Sequence, residues 1–529
     1  MELGLIEFGP IELVLGLFVV IVALAYLARR VGVAYPILLV LGGLVLGYAP
    51  GVPQIELEPD VVFLLLLPPI LFGAAYSTPI RDFKANARPI ALLAIGLVLF
   101  TTVVVGSVAY MLVPSMGLAA AFALGAIVAP TDPLAAMEVG RRVGLPRLIA
   151  TILEGESLIN DGTALVIYRV AVGAVGGGFS LANAGLEFVL GAVGGIAIGL
   201  AVGWVIAELR KRLDDPPVEV TISLLTGYAA YVPAERVGAS GVLAAVTIGI
   251  YIGWRAPEIS SARQRVAGYS MWTILTFLLN ALLFVLIGLQ LPLILKGLED
   301  EPLGELIGIA AAVAAVVIVS RLVWMHLMTG AIRALDRRPS QRDRRGTWRG
   351  RMVGGWAGMR GAVSLAAALA LPIDFPARDQ LLFITFGVIL ATLVLQGLTL
   401  PAVIRWSGVH DDGSEAEEEL LARRRATEAA LAHLDELAAA EWTRDDTVER
   451  MRGMYEYRSR RLGARAGETE DEEGGGYEHR SRKYQKMVRS VLDAQRRAVV
   501  ELRNQGEISN DVMHRIEREL DLEDERLEI

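Results

Sequence analysis

The chain has 529 residues, of which 54% are hydrophobic, and its mean hydropathy is +0.49. These values are too apolar for a soluble protein of this length and are typical of a multi-pass membrane protein. There is no cysteine, which excludes disulfides and thiolate metal sites, and the five histidines are too scattered to suggest a metal cluster. The net charge of −8 is concentrated in acidic runs near the end of the chain, and no basic footprint for nucleic acid accompanies it. We therefore expect no enzyme, no cofactor and no nucleic-acid partner.

Apolar segments long enough to span a bilayer recur along most of the chain. We count about thirteen of them, at residues 11–28, 35–49, 61–79, 89–113, 117–138, 149–175, 184–208, 217–233, 238–254, 268–294, 304–332, 350–372 and 380–405. The first follows an acidic N-terminus, MELGLIEFGP, that lacks the basic region of a cleaved signal peptide. The sequence predicts an all-α transmembrane domain at residues 1–405, in contact with membrane lipids.

The loops between these segments alternate in charge. One set holds only Arg236, Lys296 and Arg378, among acidic stretches such as QIELEPD. The other set is basic and holds Arg29 and Arg30; Arg81, Lys84 and Arg88; Arg141, Arg142 and Arg147; Arg210, Lys211 and Arg212; Arg255, Arg263 and Arg265; and the stretch RALDRRPSQRDRRGTWRGR. Basic loops stay in the cytoplasm. We therefore expect a plasma-membrane protein with its N-terminus outside and, after an odd number of spans, its C-terminus in the cytoplasm.

The composition changes after about residue 405. Residues 406–529 are rich in Ala, Glu and Arg and contain amphipathic patterns such as EAEEELLARRRATEAALAHLDELAAA and SNDVMHRIERELDLEDERL. Between them, GETEDEEGGGY has the composition of a disordered segment. These features predict a cytoplasmic tail of helices that serves either dimer packing or regulation.

Two of the predicted spans are interrupted in the middle. The fifth contains Pro130 and Pro133 around Asp132, and the twelfth contains the glycine-rich stretch GGWAGMRGAVS around Arg360. If the first six and the last six spans form two repeats, the two breaks fall at equivalent positions, and their opposite starting sides make the repeats inverted. Broken helices at matching positions of inverted repeats indicate a transporter binding site near the bilayer midplane.

Asp132 is an ionisable residue in the middle of a span. A charge there costs ~2.5 to 3.5 kcal/mol on insertion scales, so such residues generally have a function. Pro130 and Pro133 each remove a backbone donor and thereby free carbonyl oxygens that a cation can use. Asp132 could instead simply cap the second half of the helix, and capping is compatible with ion binding.

A second acidic motif, EGESLINDGTALV, lies in the sixth span. At 3.6 residues per turn, Glu154, Ser157 and Asp161 share one helix face, whereas Glu156 and Asn160 share another. The first face could present Asp161 and Ser157 to a hydrated cavity shared with Asp132, with Glu154 in a cytoplasmic funnel, and such oxygen ligands suit an alkali cation. Alternatively, Ser157 bonds its own backbone and Asn160 is a packing amide.

Two intramembrane arginines, Arg321 and Arg360, are available to balance these acids. A buried carboxylate with a basic partner stays charged and structural, whereas one without a partner takes up a proton. We therefore expect Glu156 to be neutralised by an arginine and Asp161 to bind either a proton or a cation. Competition at one carboxylate is sufficient to couple the two fluxes.

In combination, these motifs resemble the monovalent cation:proton antiporters, in particular the NhaP-like branch of sodium/proton exchangers. The resemblance rests on LLPPILF in the third span, APTDPLA around Asp132, EGESLINDGTALV, Arg321 and GWAGMRGAVS, and it covers residues 10 to 405. It implies two inverted six-helix repeats, a homodimer, and an elevator-like motion that exchanges Na⁺ for H⁺ in pH and sodium homeostasis.

The resemblance also implies roles for individual residues. The ion ligands of the family fall on Asp161, Asp132, Thr131 and Ser157, and Asn160 implies electroneutral exchange of one cation per proton. The structural acid of the family falls on Glu156, with Arg321 favoured over Arg360 as its partner. One departure is Gly73, where some relatives carry an acid after the LPPILF motif. The preference among Na⁺, Li⁺ and K⁺ therefore stays open.

Two other functions have to be weighed. Polar intramembrane residues also line channels, but here the acids are few and the arginines would obstruct a cation pore. An intramembrane aspartyl protease would use Asp132 and Asp161 as a pair that shares a proton. Its usual Gly-x-Gly-Asp context is absent, because Asp161 follows Asn and Asp132 follows Thr.

Overall fold

The computed structural model describes residues 10–50, 52, 55–177, 180–213, 215–299, 301–335, 347–411, 413–465 and 477–528. Every regular element in these ranges is a helix. The chain divides into two compact units, Met1–Asp411 and Asp412–Ile529. The break predicted to be disordered, at 467–476, lies outside the described residues, as does most of the arginine-rich loop before residue 347.

The first unit is built from long apolar helices. In order they are α1 (Pro10–Val31), α2 (Tyr35–Gly47), α3 (Leu67–Tyr76, preceded by a π-helical turn, Val61–Leu66), α4 (Ile80–Ala85), α5 (Ala87–Ala91), α6 (Val98–Leu112, joined to α5 by a π-helical turn, Leu92–Leu97), α7 (Leu118–Val128), α8 (Leu134–Val143), α9 (Arg147–Val175), α10 (Leu181–Arg210), α11 (Pro216–Arg236), α12 (Gly241–Ile259), α13 (Ala262–Leu289), α14 (Leu291–Lys296), α15 (Leu303–Leu335), α16 (Trp348–Trp356), α17 (Ala362–Leu369), α18 (Arg378–Ala391) and α19 (Gly397–Ser407, joined to α18 by a π-helical turn, Thr392–Gln396).

The length and composition of these helices define a multi-pass membrane protein. Among the described residues, eight helical stretches are long and apolar enough to cross a bilayer, and three shorter apolar helices accompany them. Helix is present within each of the predicted spans, although the ends differ. For example, α13 begins at Ala262 rather than at 268, because Ser261 and Gln264 form a capping box that starts the helix earlier.

Glycines let several of these helices touch backbone to backbone. Gly43 of α2 lies against the main chain of Val285 in α13, and Gly288 of α13 lies against that of Val40. In the same way, Gly125 of α7 lies against Thr102 of α6. Small residues at crossings are a usual means of packing helices in a membrane. The close contacts hold α7 and α13, which both border the site described below.

A buried ion pair joins three helices of the first unit away from the helix breaks. Arg210 at the end of α10 donates from Nε to Glu219 of α11 at 2.9 Å, and Ser260 after α12 donates to the same carboxylate at 2.7 Å. Both charged side chains are at most 5% exposed. The pair and the Ser260 hydroxyl thus connect α10, α11 and the end of α12, although Nη1 of Arg210 and Oε2 of Glu219 have no hydrogen-bond partner among the described residues.

The second unit consists of four amphipathic helices: α20 (Ser414–Ala438), α21 (Asp445–Arg465), α22 (Tyr477–Asn504) and α23 (Asn510–Glu528). α20 packs on α21, and α22 packs on α23. The buried side chains between the second pair are Leu492, Val499, Met513 and Leu520. The patterns quoted from the sequence correspond to α20 and α23, whereas α21 and α22 were not predicted individually.

Candidate ion-binding site

Two interrupted helices meet inside the first unit. α7 ends at Val128 and α8 begins at Leu134, whereas α16 ends at Trp356 and α17 begins at Ala362. The backbone N–H of Asp132 donates to the carbonyl of Met359 at 2.8 Å, so that the two breaks are joined directly. Irregular backbone at membrane depth is tolerated where protein buries it or where it lines a cavity. Both breaks meet that condition here.

Asp132 lies between the N-termini of two half-helices. One of its carboxylate oxygens accepts a hydrogen bond from the backbone N–H of Leu134 at 2.9 Å, which caps α8. The side chain also packs against Gly361, the residue before α17, where an added Cβ would collide with it. A negative charge is favourable at helix N-termini because the exposed N–H groups point toward it.

Arg360 has the complementary position at the C-terminal ends. Its Nε donates to the carbonyl of Val128 at 2.9 Å, at the end of α7, and Nη1 donates to the carbonyl of Gly358, just after α16. Its backbone N–H donates to the Thr392 hydroxyl at 3.1 Å. Within the described part of the chain Arg360 forms no salt bridge, so it neutralises carbonyl groups rather than a carboxylate.

Glu156 of α9 pairs instead with Arg321 of α15. The two side chains are 1% and 0% exposed, and their fork-shaped contact includes a 2.8 Å bond from Nη2 to Oε2. Arg321 also donates to the carbonyl of Gly354 at 3.2 Å, and Thr131 donates to Glu156 at 2.9 Å. Both carboxylate oxygens of Glu156 and all three guanidinium nitrogens of Arg321 are therefore hydrogen-bonded within the protein.

Asn160 shares the face of α9 that carries Glu156. Its amide nitrogen donates to the carbonyl and the hydroxyl of Thr131, at 3.2 and 3.0 Å. Its amide oxygen is buried and accepts no hydrogen bond from the described residues. Asn160 thus holds the first break in place.

A cavity of about 290 Å³ lies on the other face of α9. Its lining includes Asp161, Asp132, Ser157, Thr131 and Glu154. It does not include Glu156, Asn160, Arg321 or Arg360. Asp161 is only 8% exposed, and among the described residues its carboxylate has neither a hydrogen bond nor an ion pair. The carboxylate and hydroxyl oxygens around this space are hard ligands of the kind that alkali cations prefer.

Other polar residues of the cavity were missed in the sequence. Thr276 and Asn280 of α13 and Ser364 of α17 line it, and the Ser364 hydroxyl is buried without a hydrogen bond to a described residue. The amide of Asn280 donates to the carbonyl of Thr276 at 2.8 Å. An amide inside the apolar run LTFLLNALLF was the available signal for Asn280.

The lining extends from Asp161 toward one end of the helices. Glu154 lies there together with Arg141 of α8 and with Ser77 and Thr78 after α3. At the opposite side of Asp161, Arg169 of α9 pairs with Glu235 of α11, with 2.6 Å between Nη2 and Oε2. The cavity is thus polar toward the basic loops, whereas the Arg169–Glu235 ion pair lies further along α9 and is not part of its lining.

A buried carboxylate that has no partner among the described residues, beside two interrupted membrane helices, is typical of secondary transporters. A family model described as "Sodium/hydrogen exchanger, transmembrane" matches residues 16–406, and the chain belongs to that family. It is therefore a member of a transporter family.

Several named relatives are similar to this chain over two thirds of its length or more. The chain is 37% identical to an uncharacterised Na⁺/H⁺ exchanger of Mycobacterium tuberculosis, over 98% of this chain and 97% of that protein. It is 34% identical to the Na⁺/H⁺ antiporter ApNhaP of Aphanothece halophytica, over 76% of this chain and 75% of the relative. A sodium, potassium, lithium and rubidium/H⁺ antiporter of Bacillus pumilus is 35% identical, over 68% of this chain and 56% of its own.

The fold also matches a solved structure. The sodium proton antiporter MjNhaP1 from Methanocaldococcus jannaschii superposes with a TM-score of 0.57 over 74% of this chain and 98% of that one. The sequences are 20% identical, so this comparison supports the fold alone.

Proposed function

We propose that this protein exchanges Na⁺ for H⁺ at Asp161 as a secondary active transporter. The observation that carries the proposal is the contrast between two acids of α9: Glu156 is saturated by Arg321 and Thr131, whereas Asp161 faces the cavity without a partner. A carboxylate in that position is stable with a bound proton or with a bound cation. The proton and Na⁺ therefore compete for it.

The cation would be held by oxygens from both sides of the cavity. Asp161 and Ser157 come from α9, and Asp132 and Thr131 come from the first break, which supports their assignment as Na⁺ ligands. Only Asp161 changes its occupant in this scheme, so one cation exchanges for one proton. Asn160 is a neutral structural residue and supplies no second proton site.

Selectivity among alkali cations belongs to the same site. The name of the Bacillus pumilus relative covers sodium, potassium, lithium and rubidium, whereas that of the Aphanothece relative covers sodium. Neutral residues, Gly73 and Ala74, line the cavity near α13. We propose Na⁺ as the principal substrate, with Li⁺ and K⁺ as ions that share the site.

Exchange requires the site to open to each side in turn. We infer thirteen membrane crossings arranged as two inverted six-helix repeats around α10, in a homodimer whose broken-helix core moves like an elevator. Loop charges favour an outside N-terminus and a cytoplasmic tail, residues 406–529, with residues 1–405 in the plasma membrane. On that orientation the polar lining at Glu154 and Arg141 is a funnel from the cytoplasm, and Arg169 with Glu235 closes the outer side.

Proteoliposomes with an internal pH dye test the proposal. With an acidic interior, external Na⁺ should alkalinise the lumen without an imposed voltage, and the same assay with Li⁺ and K⁺ ranks the cations. A cation channel would pass ions down their gradients only until the opposing diffusion potential develops, so its signal would depend on the membrane potential, and a protease would move neither ion. Sodium uptake with no opposing proton movement would overturn the proposal.

A further inference from the structure

Two helices of the second unit have opposite charge. α22 contains eight Lys or Arg and three Asp or Glu, whereas α23 contains three Lys or Arg and eight Asp or Glu. Part of this charge is neutralised between them: Arg496 donates to Asp521 at 2.8 Å, and Arg489 donates to Asp524 at 3.2 Å. Although burial acts to raise it, these arginines lower the pKa of Asp524. Lys483 and Lys486 are exposed and lie on another face of α22.

One of those faces carries a stripe of large apolar side chains. Tyr484, Met487 and Val491 are 55%, 60% and 55% exposed, whereas the face of α22 that packs on α23 is built from buried residues such as Leu492. The spacing of three and four residues aligns the three exposed side chains along the helix. Lys483 and Lys486, both exposed, precede the first two members of the stripe. α22 therefore has two apolar faces: one packs on α23, and the other is exposed.

We propose that α22 docks on a bilayer surface that contains anionic phospholipid, through Tyr484, Met487 and Val491 and through the flanking lysines. An apolar stripe beside lysines is the pattern of helices that lie in the membrane interface, because the apolar side chains enter the acyl boundary while the ammonium groups contact anionic headgroups. The acidic helix α23 pairs with arginines of α22 and, in this arrangement, faces away from the lipid. Its negative charge would be repelled by the same surface, which fixes the orientation of the helix pair.

The tether makes this docking intramolecular. The last apolar helix, α19, ends at Ser407, and α20, the first helix of the second unit, begins at Ser414, so the second unit stays attached to a protein that is itself in the bilayer. Tethering converts a weak interfacial affinity into stable occupancy because the effective concentration is high. Because the lysines contact anionic headgroups, the binding should depend on lipid charge and on ionic strength.

The experiment uses the whole protein, whose lack of cysteine allows a single label. Met487→Cys carries an environment-sensitive fluorophore, and the protein is placed in nanodiscs of phosphatidylcholine alone or of phosphatidylcholine with phosphatidylglycerol at 3:1. Quenching by acrylamide, which is neutral, should fall about threefold in the anionic discs, and high salt should reverse the effect. Ala429→Cys, an exposed position of α20, is the control and should be quenched equally in both.

Charge variants separate lipid from protein contacts. Lys483→Gln with Lys486→Gln should abolish the difference between the two discs, whereas Lys483→Arg with Lys486→Arg should retain it. Equal quenching of the Met487→Cys label in both discs would overturn the proposal. Strong protection already present in phosphatidylcholine alone would also overturn it, because a second copy of the tail would then cover the stripe.

Discussion

Two carboxylates five residues apart on α9 have opposite surroundings. Glu156 is surrounded by Arg321 and Thr131, and Asp161 lines a cavity. A separation of five residues places them on different faces of the helix. One face is therefore fixed in structure, and the other is open to exchangeable ions.

Asp161→Asn and Asp132→Asn should each abolish Na⁺-dependent proton movement. The first removes the group for which we propose that Na⁺ and H⁺ compete, and the second removes the negative charge of a proposed ligand between two helix N-termini. The proteoliposome dye assay measures both. Glu305→Gln, at an exposed acid near the start of α15, is the control and should keep full activity. Retained pH-coupled transport in Asp161→Asn would refute the competition scheme.

Glu156→Gln should instead destabilise the protein. The substitution leaves the fully buried Arg321 without a counter-charge, and breaking a buried pair in this way costs about 3–5 kcal/mol. Thermal unfolding in detergent should show a lower Tm than in the wild type. Glu154→Gln, in the same helix but at the cavity lining, should change the Tm little. Normal stability with lost transport would place Glu156 in ion binding rather than in structure.

At the scale of elements, the negative charge of the two breaks lies at helix N-termini and the positive charge lies at helix C-termini. Asp132 faces the beginnings of α8 and α17, and Arg360 faces the ends of α7 and α16. Each charge thus offsets the partial charges of backbone groups that have lost their helical partners. The arrangement depends on close approach of the two breaks at Gly361.

Gly361→Ala should impair transport without loss of the fold. An added Cβ would collide with the side chain of Asp132, so either that carboxylate or the start of α17 has to move. We expect exchange to fall at least about tenfold, because a reacting group displaced by 1 Å loses most of its effect. Gly308→Ala is the matched control, since no atom lies within 4 Å of its added Cβ. Unchanged exchange by Gly361→Ala would show that Asp132 tolerates displacement.

The sequence predicts some features of these elements and not others. Pro130 and Pro133 identify the first break because they remove backbone donors, and glycines around Arg360 identify the second. The contribution of α13 to the cavity could not be predicted, since Asn280 lies 119 residues from Asp161 in the chain. Periodicity identifies the buried face of a helix but not the helix that it meets.

At the scale of the molecule, most of the charges around the two helix breaks offset one another. Arg321 balances Glu156, and Arg360 has the opposite sign to Asp132, which leaves Asp161, among these described residues, as the group that we propose changes its charge. Composition and loop charges predict a membrane protein of this kind from the sequence. They do not predict the tail's pairing of α22 with α23, because amphipathic patterns carry no information about the partner.

The rate of exchange should be independent of membrane potential. One Na⁺ and one H⁺ carry equal charge in opposite directions, so a potential does no net work on a complete cycle. Proteoliposomes held at zero and at about −100 mV by a gradient of the permeant anion thiocyanate should give the same initial rate of the dye signal, and this clamp leaves out K⁺, which we propose shares the site. A clear dependence on voltage would contradict the one-for-one stoichiometry.

The net charge of these buried groups suggests how uncoupled movement of Na⁺ or H⁺ is prevented. With Asp161 vacant, the charges of Glu156, Arg321, Asp132, Arg360 and Asp161 would sum to −1, and with either ion bound in the proposed scheme they would sum to zero. Moving an isolated charge through a low-dielectric medium is far more costly than moving a neutral body. In the proposed scheme, an empty site should therefore stay on its own side of the membrane until it is refilled, so that neither gradient runs down alone.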